Sequence, residues 1–210
     1  MPRRFPGNFL YNLIYRIAYP LVRSFFGFRV TGVESFPLTG GVIVAVNHCA
    51  MADPVMVCVA CPRQLGFLAK IELFKNPLFG WLMRHLGAIP LNRGATDTGA
   101  LRAAVQVLEA GRPLLLFPEG TRSKTGRIRK GKRGAGVLAL NCGVPVLPAH
   151  LSGTFHWIRH LFQRRVTLRF GTPFAASDYR QRGLSDRELT IRILQDTMER
   201  IKELQDGNHH

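Results

Sequence analysis

The sequence predicts a single α/β domain with a mostly parallel central sheet flanked by helices. Short apolar runs alternate with stretches of helical spacing, and the first run, Gly41 to Val46, is apolar throughout, the pattern of a strand buried on both faces. Glycines stand where helices should end, at Gly111 and Gly143. With 210 residues, 46% of them hydrophobic, the chain can bury one substantial core, and it contains neither a repeat nor a low-complexity linker. The expected organisation is an N-terminal segment over 1–28, a domain over 29–206 and a tail over 207–210.

Residues 8–28 are rich in aromatic and aliphatic side chains but are interrupted by Arg16, Pro20 and Arg23. No uninterrupted apolar span is long enough to cross a bilayer. Wound as a helix, Asn8, Asn12, Arg16 and Arg23 share one narrow strip, and the rest is apolar apart from Tyr hydroxyls and Ser24. A thin basic strip beside a broad aromatic face suits a helix lying in a membrane interface. The alternative is a helix packed on the domain's own core, its arginines snorkelling to water.

The strand over 41–46 leads into Asn47-His48, and Asp53-Pro54 suits the N-cap and first position of a helix over 54–60. Further strands are expected over 65–69, 88–91, 113–117, 144–151 and 165–170, separated by helices over 76–86, 96–110 and 134–141. The last helix opens on a capping box, Ser185-x-x-Glu188, and carries Ile191, Leu194, Met198 and Ile201 on one face.

Lys and Arg total 29 against 13 Asp and Glu, a formal net charge of +16, which favours a polyanionic partner, either nucleic acid or anionic lipid. The densest run is Arg122, Lys124, Arg127, Arg129, Lys130, Lys132 and Arg133. Basic clusters contribute about 1 kcal/mol per residue toward an anionic membrane surface. The aromatic residues that single-strand binders interleave with their cations are missing from this run. A membrane surface is therefore the expected partner, and nucleic acid the competing one. Four cysteines are too few for a disulfide scaffold, and no cleavable signal-peptide pattern precedes them, so a reducing cytoplasmic compartment is expected. Cys58 and Cys61 form a C-x-x-C without a second pair or a nearby His pair and read as small helical core residues, not a metal site.

Open α/β sheets place ligands beyond the carboxyl ends of their strands. His48 follows one predicted strand, Lys70 a second, Arg93 a third, and Glu119 to Arg122 a fourth. A neutral imidazole accepts a hydroxyl proton when a carboxylate on its other nitrogen fixes the tautomer and steadies the resulting cation, and His48 and Asp53 form such a pair. On one α-helix a spacing of five would set them about 140° apart, so the pair requires a turn between strand and helix. The sequence Phe117-Pro118-Glu119-Gly120-Thr121-Arg122-Ser123 exposes a carboxylate, backbone amides and a guanidinium together, and Arg122 can grip a phosphate with bidentate geometry.

These residues resemble the glycerolipid acyltransferases. Asn47-His48 to Asp53 is similar to that family's N-H-x4-D block, Gly87 to Arg93 to its G-x-I-x-x-x-R block, Phe117 to Ser123 to its F-P-E-G-T-R-S block, and Gly143 to Pro148 to its proline-containing fourth block. The resemblance covers roughly residues 29–175. It implies that a lysophospholipid hydroxyl attacks an acyl thioester, carried by coenzyme A or acyl carrier protein, without a covalent acyl-enzyme or a further cofactor. His48 would be the general base and Asp53 its orienter. Lys70, Arg93 and Arg122 would hold the acceptor phosphate, with Glu119, Gly120 and Thr121 shaping its pocket. Backbone amides in the turn after His48 are the expected oxyanion donors. The chain departs from the family at Ala50, where Ser is frequent. Cys49, adjacent to His48, is not expected to act as a thiol nucleophile. The implied location is the cytoplasmic face of the cell membrane, as a monotopic or peripheral protein.

Overall fold

In a computed structural model of the protein, residues 9–92, 98–155, 166–175, 177–180 and 185–207 are described. Their centre is β2 (Val42–Val46), five consecutive buried residues whose alternate side chains meet two different helical layers. Around it lie β1 (Arg29–Thr31), β3 (Gly66–Lys70), β4 (Ala88–Leu91), β5 (Pro113–Leu116), β6 (Val146–Ser152) and β7 (Thr167–Phe170). The sheet order is β1-β7-β6-β2-β5-β3-β4. Every pairing is parallel except β6 with β7, which bears out the expected mostly parallel sheet.

The helices are α1 (Phe9–Phe26), α2 (Asp53–Ala60), α3 (Pro77–His85), α4 (Thr98–Glu109), α5 (Gly134–Cys142), the short α6 (Ser177–Arg180) and α7 (Asp186–Asp206). Val44, Phe67, Leu115, Leu147 and Leu168 form one sheet face, covered by Phe26 of α1, Met56 and Val57 of α2, and Met83 of α3. Ile43, Ala45, Leu114 and Val146 form the other, covered by Ala104 of α4, Leu138 of α5, and Ile193 and Ile201 of α7. The predicted capping box is present: the Ser185 side chain accepts from the Glu188 amide, and the Glu188 carboxylate accepts from Ser185. Gly143 ends α5 at φ 62, a left-handed backbone that suits glycine.

β1 and α6 lie outside the sequence expectations, as do the 3-10 turns Val33–Ser35 and Ile71–Phe74. β1 spans three residues and α6 four, too short to show a period. The expected strand start at Arg165 and helix start at Thr96 fall outside the described residues.

Helix α1 has three faces. Tyr11 and Phe26 are buried, Ala18 and Val22 pack against the core, and the Tyr11 hydroxyl donates to the Cys58 carbonyl at 3.1 Å. Asn12, Arg16 and Arg23 form the polar strip. A second apolar face, Phe9, Leu13, Ile17, Leu21 and Phe25, stands exposed, with Phe9 at 82%. Among the described residues, one side of the helix is thus packed on the domain and the opposite side is exposed. Among the described residues no helix is long and apolar enough to cross a membrane.

His150, on β6 opposite Arg169 of β7, is buried. Burial, aided by Arg169 and opposed by Asp206, pushes its imidazole from 6.5 down to about 4. The folded pKa lies below the unfolded one, so the unfolded chain takes up the proton first, and stability present above pH 6.5 is lost as pH falls toward 4. Resistance of the parent to urea denaturation is expected to fall across this window, and His150→Leu to remove roughly 2 to 3 kcal/mol of that loss.

Candidate active site

The site is built from the chain that leaves the C-terminal ends of β2 and β5. These strands are parallel neighbours, with Ala45 opposite Leu116, so the turns that follow them meet. Asn47 extends the sheet by its side chain: its amide donates to the Leu151 carbonyl at 2.9 Å and accepts from the Leu151 N–H at 2.7 Å. This fixes the direction in which the chain departs from β2 and sets His48 over the sheet edge.

His48 Nδ1 lies 2.8 Å from Asp53 Oδ2. The same carboxylate oxygen accepts the amides of Cys49 at 2.7 Å and Ala50 at 2.8 Å. Asp53 is the first residue of α2, with Pro54 behind it, and its side chain turns back onto the amides before the helix instead of capping those within it. The expected N-cap geometry is therefore replaced by a reversed one. With Nδ1–H donated to a carboxylate, Nε2 carries the lone pair, the arrangement a general base needs. The imidazole stacks on Phe117, ring centroids 4.0 Å apart and planes 17° from parallel, and the residue is only 7% exposed.

Glu119 is buried and turned inward. Its Oε1 accepts the His48 N–H at 2.9 Å and its Oε2 the Arg129 N–H at 2.9 Å. Burial raises its pKa, and the two amides draw it back down. The loop beyond it is closed at its base, where the Lys132 N–H donates to the Pro118 carbonyl at 2.8 Å, and tied to the catalytic turn, where the Ser123 N–H donates to the His48 carbonyl at 2.7 Å. The basic run is thus a tethered loop with Ile128 packed into the core.

Gly120 closes the turn at the end of β5, its N–H donating to the Phe117 carbonyl at 2.9 Å. Its φ of 70 and the Lys132 stem that would lie 2.8 Å from an added Cβ both favour glycine there. Thr121 Oγ1 accepts from Arg129 Nη1 at 2.6 Å. Arg122 and Lys70 are exposed on the same rim, Lys70 at the end of β3, the strand beside β5. Arg93, expected as a further phosphate ligand, lies outside the described residues. Residues that the sequence reading named without assigning them to the site also reach it: Phe117 against the imidazole, Arg129 against Thr121, and Lys132 beside Gly120.

The structure narrows the choice of oxyanion donors expected in the turn after His48. The amides of His48, Cys49 and Ala50 are all taken by the carboxylates of Glu119 and Asp53, so these three are not free to meet a developing oxyanion. Cys49 is held as a thiol: burial, with Asp53 and Glu119 beside it, pushes it up to about 11. Cys58 and Cys61 sit at the C-terminal end of α2, where burial raises both thiols.

The fold and site define an α/β protein with a buried histidine–carboxylate pair at its strand ends, tied to a cationic loop. A family model described as Acyltransferase matches residues 27–152, and the chain belongs to that family. It is 28% identical over 181 residues to a 1-acyl-sn-glycerol-3-phosphate acyltransferase of Bacillus subtilis, covering 85% of this chain and 88% of the relative. The enzyme of that name from Streptococcus pneumoniae is 31% identical over 163 residues, 77% of this chain and 60% of the relative. A chloroplastic relative from Arabidopsis thaliana is 33% identical over 136 residues, 63% of this chain and 38% of the relative. The chain thus spans less than two thirds of the Arabidopsis and Streptococcus relatives, 38% and 60% of their length. The crystal structure of the 1-acyl-sn-glycerophosphate (LPA) acyltransferase PlsC from Thermotoga maritima superposes with a TM-score of 0.71 at 28% identity, covering 93% of this chain and 81% of that one.

Glu119→Gln leaves one oxygen to serve two amides and sets an NH2 group against the second. We expect a loss of about 1 to 3 kcal/mol, read as a melting temperature lower by roughly 2 to 4 °C for each kcal/mol.

Proposed function

We propose that the chain transfers an acyl group from an acyl thioester to the sn-2 hydroxyl of 1-acylglycerol 3-phosphate, giving phosphatidate for phospholipid synthesis. The observation that carries this is the His48 Nδ1 to Asp53 Oδ2 contact of 2.8 Å, in a chain whose relatives are named for that reaction. His48 Nε2 accepts the hydroxyl proton as the oxygen attacks the thioester carbonyl carbon, and the imidazolium is held by Asp53. Collapse of the tetrahedral adduct expels the thiolate, which takes the proton from His48. Acyl-coenzyme A and acyl carrier protein are both substrates of suitable chemistry, and the scheme uses no resident cofactor or metal.

The acceptor phosphate is assigned to Lys70, Arg93 and Arg122, with Thr121 and Gly120 shaping the pocket. Glu119 acts behind them by tethering the loop to the His48 turn. Residues 29–206 form the acyltransferase domain in this reading, and residues 1–28 attach it to the cytoplasmic face of the cell membrane. The exposed apolar face of α1 beside its Arg16 and Arg23 strip supports that attachment, as does the net charge of +16.

Transfer from labelled acyl-coenzyme A to a panel of 1-acylglycerol 3-phosphate, glycerol 3-phosphate and lyso-aminolipids tests the acceptor, and the first is expected to dominate. His48→Ala is expected to cost about 10² to 10⁴ in rate with an unchanged circular dichroism spectrum. Near-parental activity in the folded variant would remove His48 from the base role.

Because α1 also packs on the core, changing its outer face tests attachment more cleanly than deleting it. Leu13→Gln, Ile17→Gln and Leu21→Gln combined should abolish flotation with anionic liposomes while the melting temperature holds.

A further inference from the structure

The exposed apolar side chains are unevenly placed. Among the described residues, all the large ones except Leu38 and Leu101 belong to α1, to the start of α2, or to the segment 71–81. Each of these elements lies over the same face of the sheet, since α1, α2 and α3 share one core layer. The layer of α4, α5 and α7 on the opposite face contributes only Leu101.

The segment 71–81 has an inner and an outer apolar surface. Phe74, and Met83 just beyond the segment, pack inward on the core. Ile71, Leu73, Leu78, Phe79 and Trp81 remain exposed, Leu78 by 76%. Gly80 allows this arrangement: an added Cβ would come within 2.9 Å of the Phe74 carbonyl oxygen, so glycine lets α3 lie flat on the turn before it. Trp81 is ordered against His85, with ring centroids 4.2 Å apart. A helix on a water-facing surface normally turns polar residues outward.

Exposed Lys70, Lys75 and Arg84 border this apolar surface, against one exposed acid, Glu72. Apolar and tryptophan side chains rimmed by cations complement the boundary between acyl chains and anionic headgroups. We propose that the outer surface of residues 71–81 is a second bilayer-docking element, seated on anionic lipid together with α1. This rests on the membrane attachment proposed above and extends it from one helix to a whole face of the domain. Exposed Met51, three residues from His48, lies just before α2, a helix of the same layer, so two separated contacts would hold the mouth of the site toward the lipid phase and restrict rotation about α1.

The chain has two tryptophans, Trp81 and Trp157, which permits a direct test. In full-length protein carrying Trp157→Phe, phosphatidylglycerol–phosphatidylethanolamine vesicles with brominated acyl chains should shift Trp81 emission to the blue and quench it. In the reciprocal Trp81→Phe protein the quenching should be lost. Leu78→Ser with Phe79→Ser should weaken vesicle binding about tenfold at an unchanged melting temperature. Flotation with the vesicles without quenching of Trp81, or quenching that survives Trp81→Phe, would overturn docking by this segment and leave attachment through α1 standing. Failure of the parent protein to float would remove both. A blue shift that follows protein concentration in the absence of lipid would assign the surface to a second copy of the chain and overturn the proposal.

Discussion

The turn at residues 47–50 depends on two buried carboxylates that reach it from different parts of the chain. Asp53, five residues on, takes His48 Nδ1 and the amides of Cys49 and Ala50; Glu119, from the end of β5, takes the amide of His48. A buried carboxylate is costly unless donors surround it, and a buried amide is costly without an acceptor. Each satisfies the other, so the turn and the carboxylates specify one another. Removing either carboxylate would leave orphaned amides in the place where the imidazole must be held.

The rest of the site follows from that constraint. Glu119 can reach His48 because β2 and β5 are adjacent and in register, and its second oxygen holds Arg129, which anchors the cationic loop. Base and cations are thereby coupled through one side chain that itself faces inward. Phe117, next along the same strand end, supports the imidazole from below.

Sheet topology also divides the surface. Putting α1, α2 and α3 over one sheet face collects nearly all exposed apolar side chains on that side. The opposite layer turns polar residues outward, with Arg192 and Asp196 of α7 paired at 3.2 Å.

Much of this was legible in the sequence. Continuous apolar runs marked β2 and β6, Gly143 and the Ser185–Glu188 box marked helix ends, and His48, Asp53 and the Glu119–Arg122 turn were visible because ionic groups rarely crowd the ends of buried strands. Local signals of that kind depend on residues close in the chain. The three-residue β1, the inward-facing Glu119, the Phe117 stack, the committed amides and the outer surface of α3 were not readable. Each is decided by neighbours far away in sequence: Glu119 is 71 residues from the amide it binds, and the exposure of Leu78 depends on which side of α3 meets the sheet. The sequence by itself determined the elements and the chemical groups at their ends. Only the tertiary structure decided which groups turn inward to hold the frame and which stay exposed at the strand ends, because hydrogen bonds and burial join strands that the chain order separates.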